Sequence, residues 1–400
     1  MRLFPLHVAV ALQATMLWVP VEKLFMNQIG FTPASIGVMA AAYAAVTPLL
    51  EVPSGVLADR WSRRGVLVMS AVALLCCSLL GGLSTAVPMY IVSAMALGVY
   101  FAMYSGTVES IVYDVVVEET GTGDTYQGQI GRVRAIESAA LVVSSLAGGW
   151  LAGLAGPRLT YFATVPFAAV AVLAYLRFRE PRLHRLQRRE PLGQHIALTV
   201  RTITRRGALL PIVVLGALTA LIAQMIFEFG PLWLVALAAP AVLFGPYWAG
   251  LVSTLGVARL VVSRIRLDQR RVVVVFAALM IGASTVLNVT TALMAVIAAQ
   301  VVLALLIAIA GIKVDAMLHD AVPSAIRAGV ASGVSTFSWI GFLPFALAFG
   351  WVTKQFGTDA SGWMITATTL VAGVLLIRLC SRRHQPRSSR IDELSLVTLR

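Results

Sequence analysis

Residues 272–312 read VVVVFAALMIGASTVLNVTTALMAVIAAQVVLALLIAIAGI and contain no Asp, Glu, Lys or Arg. A helix needs about 20 apolar residues to cross a bilayer, so this stretch of 41 residues is long enough for two helices. Asn288 lies near its middle and marks a turn between them. The stretch therefore predicts a hairpin of two membrane-spanning helices.

The rest of the chain repeats this pattern. Hydrophobic residues make up 59% of the 400 positions and charged residues 12%, whereas soluble domains have about 45–50% and about 25%. A soluble enzyme of this length is excluded, because too little polar surface is present to cover its core. The uncharged stretches predict twelve spans, which lie at about 5–27, 34–57, 66–84, 88–116, 131–155, 159–177, 208–232, 241–263, 272–289, 292–317, 328–350 and 360–378.

The positions of the basic residues predict the orientation of these spans. Of 31 Lys and Arg residues, only Lys23, Arg158 and Lys354 fall on one side of the twelve spans, and the other 28 fall on the opposite side. By the positive-inside rule the arginine-rich side is cytoplasmic, and both termini lie there. The net charge of +13 is thus explained by topology, and nucleic-acid binding is not expected. The excess of arginine over lysine favours a bacterial inner-membrane protein.

The predicted domain organisation follows from the same pattern. Residues 1–176 form one six-helix bundle and residues 208–378 form another, so the fold class is an all-α integral membrane protein with two pseudo-symmetric halves. Residues 177–207 form an arginine-rich cytoplasmic linker, and 379–400 a cytoplasmic tail. The linker is a solvated basic loop near anionic lipids, or a regulatory or partner-binding segment.

An internal repeat supports the two halves. A shift of 206 positions places Pro5 on Pro211, Glu22 on Glu228, Glu109 on Asp315 and Asp114 on Asp320. Three of these four pairs are carboxylates in or beside predicted spans. Repeats of this kind build transporters whose binding site lies between the halves near the middle of the bilayer.

The sequence lacks the residue patterns that are typical of metal binding, nucleotide binding and catalysis by a membrane enzyme. Cys76, Cys77 and Cys380 form no metal pair, and the five histidines form no HExxH cluster. No GxxxxGK[ST] loop for nucleotide phosphates is present. We expect no metal and no cofactor, and we find no convergent nucleophile and base for a membrane enzyme.

One loop carries a family resemblance. The segment 55–64, Gly-Val-Leu-Ala-Asp-Arg-Trp-Ser-Arg-Arg, resembles the signature between the second and third helices of the major facilitator superfamily, with Ser62 in place of a second glycine. The preceding Glu51-Val-Pro-Ser54 and the segment 105–114 are similar to a drug-exporter-like bacterial branch, as is the segment 315–327. The basic residue of that branch in its fourth helix is absent from 95–106, and its antiporter motif is reduced to Gly148, Gly149 and Gly153.

The resemblance implies a gate at the cytoplasmic ends of the helices. Asp59 favours a facing helix N-terminus, and in the family its equivalent closes the cytoplasmic side against the eleventh helix. Gly55 lets the second helix approach a neighbour closely, and the basic residues can pair with Asp114. The gate candidates are Gly55, Asp59, Arg60, Arg63, Arg64, Asp114 and Arg327.

Acids within the spans are candidates for proton coupling. A charge at the centre of a span costs about 2.5–3.5 kcal/mol, which a carboxyl group avoids by binding a proton. Glu228 follows Gln224 by one turn and has no basic residue near it in the sequence. Glu51 and Glu109 act in proton coupling or cation binding, or form structural pairs. Glu22, beside Lys23, is an outer gate, an interfacial residue or a coupling residue, and Asp315 matches Glu109 in the repeat.

By the family resemblance, a substrate cavity is lined by helices 1, 4, 7 and 10, with additions from helices 5 and 11. Its candidates are Gln13, Trp18, Tyr100, Tyr104, Gln224, Phe227, Gln300 and Trp339. An apolar and aromatic cavity with few acids suits a lipophilic or cationic molecule.

The function expected from the sequence is proton-coupled efflux of a drug-like molecule or secondary metabolite by alternating access. The expected partners are this small molecule, protons and the lipid bilayer, with the monomer as the working unit. One alternative is an importer or facilitator of a small organic metabolite on the same fold. Another is a transporter-like sensor or partner-binding protein that uses the linker.

Overall fold

The computed structural model describes residues 3–181, 209–321 and 327–382. The side chains of Val52 and Asp59 and those at 327–333, 335, 336, 381 and 382 are outside the described part. Most of the predicted linker, from residue 182 to 207, and the tail from residue 383 onward also lie outside the described residues. The chain is otherwise helical, and the described residues include no strand.

The first half of the molecule is built from eight helices, of which two pairs each form one broken span. They are α1 (Phe4–Ala14), α2 (Glu22–Gln28), α3 (Pro33–Arg60), α4 (Arg63–Leu83), α5 (Val87–Tyr104), α6 (Thr107–Thr120), α7 (Tyr126–Ala155) and α8 (Pro157–Arg177). A short 3₁₀ turn at Val19–Val21 lies between α1 and α2. Gly106, with φ 69°, separates α5 from α6.

The second half repeats this arrangement. It contains α9 (Leu210–Phe229), α10 (Pro231–Ala236), α11 (Ala241–Val261), α12 (Arg270–Val289), α13 (Leu293–Ala321) and α14 (Arg327–Arg382). Pro231 lacks an N–H group and begins α10 directly after Gly230. The helix α14 breaks at Gly357, where φ is 88° and ψ is 172°.

The predicted number of spans agrees with the structure. Eleven helical segments among the described residues are long and apolar enough to cross a membrane. The last, Phe337–Cys380, has 44 residues, which is about 66 Å of helix and twice the thickness of a bilayer. Its break at Gly357 divides it into two segments, so the described residues contain twelve segments that could each cross a membrane.

Two faces of the bundle are named here. The terminal face holds residue 3, the turn between α3 and α4, and residue 382. The distal face lies at the opposite ends of the helices, where α1 and α2 lead to Gln28 and α3 begins at Pro33. Around the sides, large apolar residues such as Leu83, Trp150 and Leu260 are exposed, as a bilayer requires.

The two halves meet along two pairs of helices. Helix α3 of the first half packs against α14 of the second, and α7 packs against α11. One large apolar core extends through both halves. These contacts leave α9, α13 and the first part of α14 facing the space in which the candidate site lies.

Candidate functional site

A cavity of about 420 Å³ lies in the second half, and we call it the Asp315 cavity. Its polar lining residues are Thr219, Gln224, Asp315 and Ser338. The other described residues that line it are Gly216, Ala220, Ala223, Phe227, Leu255, Ala304, Ile307, Ala308, Gly311, Val334 and Trp339. The lining is mostly apolar, with few polar groups that could orient a bound molecule.

Stripes of small residues create this space. On α9 the stripe is Gly216, Ala220 and Ala223, and on α13 it is Ala304, Ala308 and Gly311. Both follow the spacing i, i+4, i+7, which places all three residues on one face of a helix. The two walls are therefore short side chains, and a ligand can lie between the helix backbones.

Asp315 lies one turn after Gly311 on α13, toward the terminal face. It is exposed although its helix spans the membrane, so the cavity meets the surface near Asp315. No basic residue lines the cavity within the described part of the chain. The carboxylate is thus positioned to attract a cation into an otherwise apolar site.

Two further side chains offer specific contacts to a ligand. The Gln224 Oε1 atom is buried and has no hydrogen-bond partner among the described residues. Phe227 packs edge-on against Trp248, with ring centroids 5.7 Å apart. An unpaired buried acceptor costs free energy, which a ligand that donates a hydrogen bond to Gln224 recovers.

A buried cluster of charges lies toward the distal face, and we call it the Lys23 cluster. The Lys23 Nζ atom lies 3.0 Å from Glu22 Oε2 and also contacts Glu228 Oε1 in the other half. The Lys23 side chain is only 2% exposed. The Tyr43 hydroxyl donates to Glu228 Oε2, at 3.0 Å, and the Tyr90 hydroxyl donates to Glu22 Oε1, at 3.0 Å.

The composition of the cluster explains how it can be buried. Two carboxylates share one ammonium group, and the two tyrosine hydroxyls bond to the remaining carboxylate oxygens. Buried charges are tolerated when they are paired and their other lone pairs are satisfied. Because α2 and α3 belong to the first half and α9 to the second, the cluster links the halves electrostatically.

The Asp315 cavity and the Lys23 cluster adjoin each other. Glu228 follows Gln224 by one helical turn, so both side chains are on the same side of α9. The ring of Trp339 in the cavity wall packs edge-on against Tyr43, with ring centroids 6.3 Å apart. A ligand in the cavity is therefore separated from the bond between Tyr43 and Glu228 by about one layer of side chains.

Glycines close the distal part of the interface between the halves. A Cβ atom on Gly149 of α7 would lie 2.5 Å from the Gly245 nitrogen of α11. A Cβ atom on Gly37 of α3 would lie 2.5 Å from the Ala346 carbonyl oxygen of α14. All of these glycines lie within two turns of the distal helix ends. The halves thus make backbone contact on the distal side, where no larger residue fits.

The turn between α3 and α4 carries a second set of charges, at the terminal face. The Arg63 guanidinium bonds to the Asp114 carboxylate on α6 and donates to the Ser110 carbonyl oxygen at 3.2 Å. Glu180 accepts hydrogen bonds from Ser62 Oγ at 2.7 Å and from the backbone N–H of Arg63 at 2.6 Å. This carboxylate therefore caps the start of α4.

A third set of charges joins α5, α6 and α7. Arg134 contacts Glu109 at 2.8 Å and Glu137, three residues along its own helix, at 2.9 Å. The Tyr104 hydroxyl also donates to Glu137. The side chains of Arg134 and Glu109 are partly exposed, so this network reaches the solvent-accessible surface.

A comparison with sequence models of protein families identifies the family of this chain. Residues 3–267 match the sequence model of the Major Facilitator Superfamily, which is 265 of the 400 residues. The chain belongs to the major facilitator superfamily. Its members are transporters of small molecules across membranes and not enzymes.

One protein of known name is similar to part of this chain. Multidrug resistance protein 1 of Bacillus subtilis (strain 168) is 26% identical over 179 residues, which are 44% of this chain and 43% of that protein. The aligned part therefore spans less than half of the length of that relative.

Solved superfamily structures share the fold over nearly the whole chain. A mutant of the nucleoside transporter NupG has a TM-score of 0.79 at 13% identity, and covers 95% of this chain and 100% of its own. A bacterial homolog of the human lysosomal transporter Spinster, inward-facing and unoccupied, has a TM-score of 0.74 at 14% identity, and covers 94% and 95%. At these identities the likeness concerns the fold.

The candidate residues of the superfamily signature have different places in the structure. Arg63 pairs with Asp114 as expected, whereas Arg64 donates to the Phe178 carbonyl oxygen, at 3.3 Å, and Arg60 is exposed. A Cβ atom on Gly55 would meet no atom within 4 Å, so the close helix approach expected there is absent in this conformation. The side chains of Asp59 and Arg327 lie outside the described part.

Three of the eight cavity candidates line the Asp315 cavity, and the other five lie elsewhere in the structure. Gln224, Phe227 and Trp339 line the Asp315 cavity, and Tyr104 joins the Glu137 network. The others are buried in packing contacts within one half: Gln13 bonds to Ser70 and Tyr175, Trp18 stacks on Tyr161, Tyr100 stacks on Tyr104, and Gln300 bonds to Tyr247 and Gly230. The amides of Gln13 and Gln300 therefore bond within the protein, whereas the Trp18 Nε1 atom is buried with no hydrogen-bond partner among the described residues.

The candidates for proton coupling lie in different parts of the structure. Glu22 and Glu228 meet in the Lys23 cluster, Glu109 pairs with Arg134, and Asp315 lines the cavity. Glu51 is partly buried in α3. Sequence reasoning missed Tyr43, Tyr90 and Glu180. The described residues hold no group of three or more His, Cys, Asp or Glu that suits a metal ion.

Proposed function

We propose that this superfamily member is a secondary active transporter that exports a lipophilic cation in exchange for protons. The observation that carries the proposal is the Asp315 cavity, in which a carboxylate stands at one end of an apolar and aromatic wall. A lipophilic cation needs both features, because its charge requires a counterion and its body requires apolar contact. Phe227 and Trp339 add favourable faces for a cation.

The conformation supports alternating access. The distal side is closed by the glycine contacts and the Lys23 cluster, while Asp315 is exposed toward the terminal face. The positive-inside rule favours a cytoplasmic terminal face, and the Spinster homolog of similar fold was solved inward-facing. On this proposal the structure is the inward-facing state, ready to take up cargo from the cytoplasm.

The coupling proposal concerns Glu228. Its carboxylate bonds to Lys23 of the other half, and a proton or a cationic cargo would take the place of Lys23. Lys23, a proton and a cationic cargo would therefore compete for one carboxylate, which binds only one of them at a time. A cargo that displaces Lys23 breaks the bond between the halves and favours distal opening, and a proton taken up from outside then displaces the cargo. Such exclusion is the physical requirement for exchange of one cation for another.

The similarity to Multidrug resistance protein 1 favours the same class of cargo. The alternative cargo, a polar metabolite such as a nucleoside, needs several hydrogen-bonding groups. The described lining of the cavity offers only Thr219, Gln224, Asp315 and Ser338, and apolar residues make up the rest.

The test is transport by the purified protein in proteoliposomes with an imposed pH gradient, with radiolabelled tetraphenylphosphonium as cargo. We expect gradient-driven transport that falls about tenfold or more in Asp315→Asn, a loss of about 1.4 kcal/mol in transition-state stabilisation. Asp268→Asn is the control, because Asp268 is an exposed acid at the same face that does not line the cavity. Full transport by Asp315→Asn, or transport of uridine but not of the cation, would contradict the proposal.

A further inference from the structure

We propose that a second cavity, between α1, α6 and α7 at the terminal face, binds the phosphate headgroup of a membrane phospholipid. This cavity has a volume of about 450 Å³, and we call it the His7 cavity. It is lined by Leu3, Phe4, His7, Glu119, Gln129, Arg132, Ala135 and Ile136. None of these residues lines the Asp315 cavity, and the proposal does not depend on the cargo.

The polar part of the lining suits a phosphodiester. Arg132, Gln129 and His7 present N–H donors from two helices, and a guanidinium binds phosphate oxygens with two parallel hydrogen bonds. The His7 Nε2 atom is buried and has no hydrogen-bond partner among the described residues. A buried polar atom of this kind indicates a missing partner, which a phosphate oxygen supplies.

Glu119 defines the outer part of the headgroup. Its carboxylate lies in the same lining as Arg132, so the cavity has a basic and an acidic side. Phospholipid headgroups carry hydroxyl or ammonium groups beyond the phosphate, and these donate hydrogen bonds to a carboxylate. The pairing of a donor set with an acceptor therefore matches a headgroup better than it matches a bare inorganic anion.

The apolar part of the lining continues along the outside of α7. Arg132, Ile136, Ala139, Val143, Leu146 and Trp150 are spaced by four and three residues in turn, so they occupy one face of the helix. Val143, Leu146 and Trp150 are exposed. The rise of 1.5 Å per residue places Val143 about 16 Å from Arg132, which is about half of the hydrocarbon thickness of a bilayer.

These features together distinguish a lipid from a soluble anion. A headgroup in the His7 cavity leaves its acyl chain along Ile136, Ala139 and Val143, within one leaflet. Basic pockets between helices at a membrane surface bind lipid headgroups in this way. Phe4, which is 64% exposed beside the cavity, covers the chain near the glycerol.

The test is native mass spectrometry of the full-length protein in detergent, titrated with dioleoyl-phosphatidylglycerol. We expect bound lipid in the wild type and an apparent affinity about tenfold lower in Arg132→Gln and in Ala135→Trp, whose indole fills the cavity. Arg271→Gln is the matched control, since Arg271 is an exposed arginine at the terminal face of the second half, and we expect it to bind as the wild type does.

Two further probes identify the source of the phosphate. Dioleoylglycerol, which lacks the phosphate, should not bind at this site, and millimolar inorganic phosphate should not displace the phospholipid. Unchanged phospholipid binding in both Arg132→Gln and Ala135→Trp, with thermal stability like that of the wild type, would overturn the proposal. Displacement by inorganic phosphate would overturn the assignment to a lipid.

Discussion

Glu22 and Glu228, which are 206 positions apart in the chain, contact the same ammonium group, that of Lys23. The same shift relates Pro5 to Pro211, and each of these prolines stands in the first turn of the first helix of its half. Residues that are equivalent in two repeats can share a partner only if they lie near the axis that relates the repeats. The Lys23 cluster therefore lies near the axis that relates the two halves.

Removal of Lys23 should destabilise this closed form. Lys23→Met leaves two buried carboxylates without a cation, and loss of one partner of a buried pair costs about 3–5 kcal/mol. We expect a lower thermal unfolding temperature, measured in detergent by intrinsic fluorescence, together with loss of transport. Lys354→Met is the control because Lys354 is exposed at the distal face. Equal stability of the two variants would show that the cluster does not hold the halves together.

The glycine contacts predict that a single added methyl group changes the accessibility of the distal side. Gly149→Ala places a Cβ atom 2.5 Å from the Gly245 nitrogen, whereas Gly153→Ala, one turn further along α7, meets its nearest atom at 3.6 Å. We expect Gly149→Ala to open the distal side, seen as faster labelling of a cysteine introduced there in a variant without native cysteines. Gly153→Ala should label at the rate of the parent. Identical rates in both variants would contradict the close contact.

The cap on α4 predicts a stability effect at the terminal face. Glu180→Ala removes the acceptor for Ser62 Oγ and for the Arg63 N–H group. Loss of a helix cap costs about 1 kcal/mol, so the unfolding temperature should fall slightly. Asp268→Ala, which removes an exposed acid at the same face, should leave it unchanged. If the Glu180→Ala protein were as stable as the wild type, Glu180 would not stabilise the start of α4.

Much of the fold could be predicted from the sequence, because it depends on pattern. Uncharged stretches and positive-inside bias predicted twelve spans, and the break at Gly357 completes that number in the structure. The pair between Arg63 and Asp114 was also predicted, but only because the segments 55–64 and 105–114 resemble the superfamily. These two residues are 51 positions apart, whereas the spans follow from local patterns that need no knowledge of which helices become neighbours.

The site was harder to predict, because its contacts join distant residues. Glu228 has no basic residue near it in the sequence, yet Lys23 of the other half lies against it. Gln13 and Gln300 are polar residues on helices expected to line the cavity, but each faces its own half, where it bonds to tyrosine. Which face of an apolar helix turns inward is decided by packing, and these helices carry little amphipathic signal.

Proton coupling can be assigned by comparing three acids. We expect Glu228→Gln to abolish the dependence of tetraphenylphosphonium transport on the imposed pH gradient, since a glutamine cannot exchange Lys23 for a proton. Glu109→Gln removes a partly exposed partner of Arg134, and Glu51→Gln removes a partly buried acid; both should reduce transport less. Full gradient-driven transport by Glu228→Gln would exclude a coupling role for Glu228. Loss of transport in all three variants would contradict the assignment of coupling to Glu228 in particular.

The most direct test of the account measures the distal opening itself. Spin labels at Thr85→Cys and Thr291→Cys, two exposed positions at the distal ends of the two halves, can be placed in a variant whose native cysteines are replaced by serine. Double electron–electron resonance in lipid nanodiscs then reports the distance between them. Alternating access predicts a short distance at high pH and a longer one when tetraphenylphosphonium is bound or when the pH is lowered. One unchanged distance in all conditions, in a protein that still transports, would contradict the account.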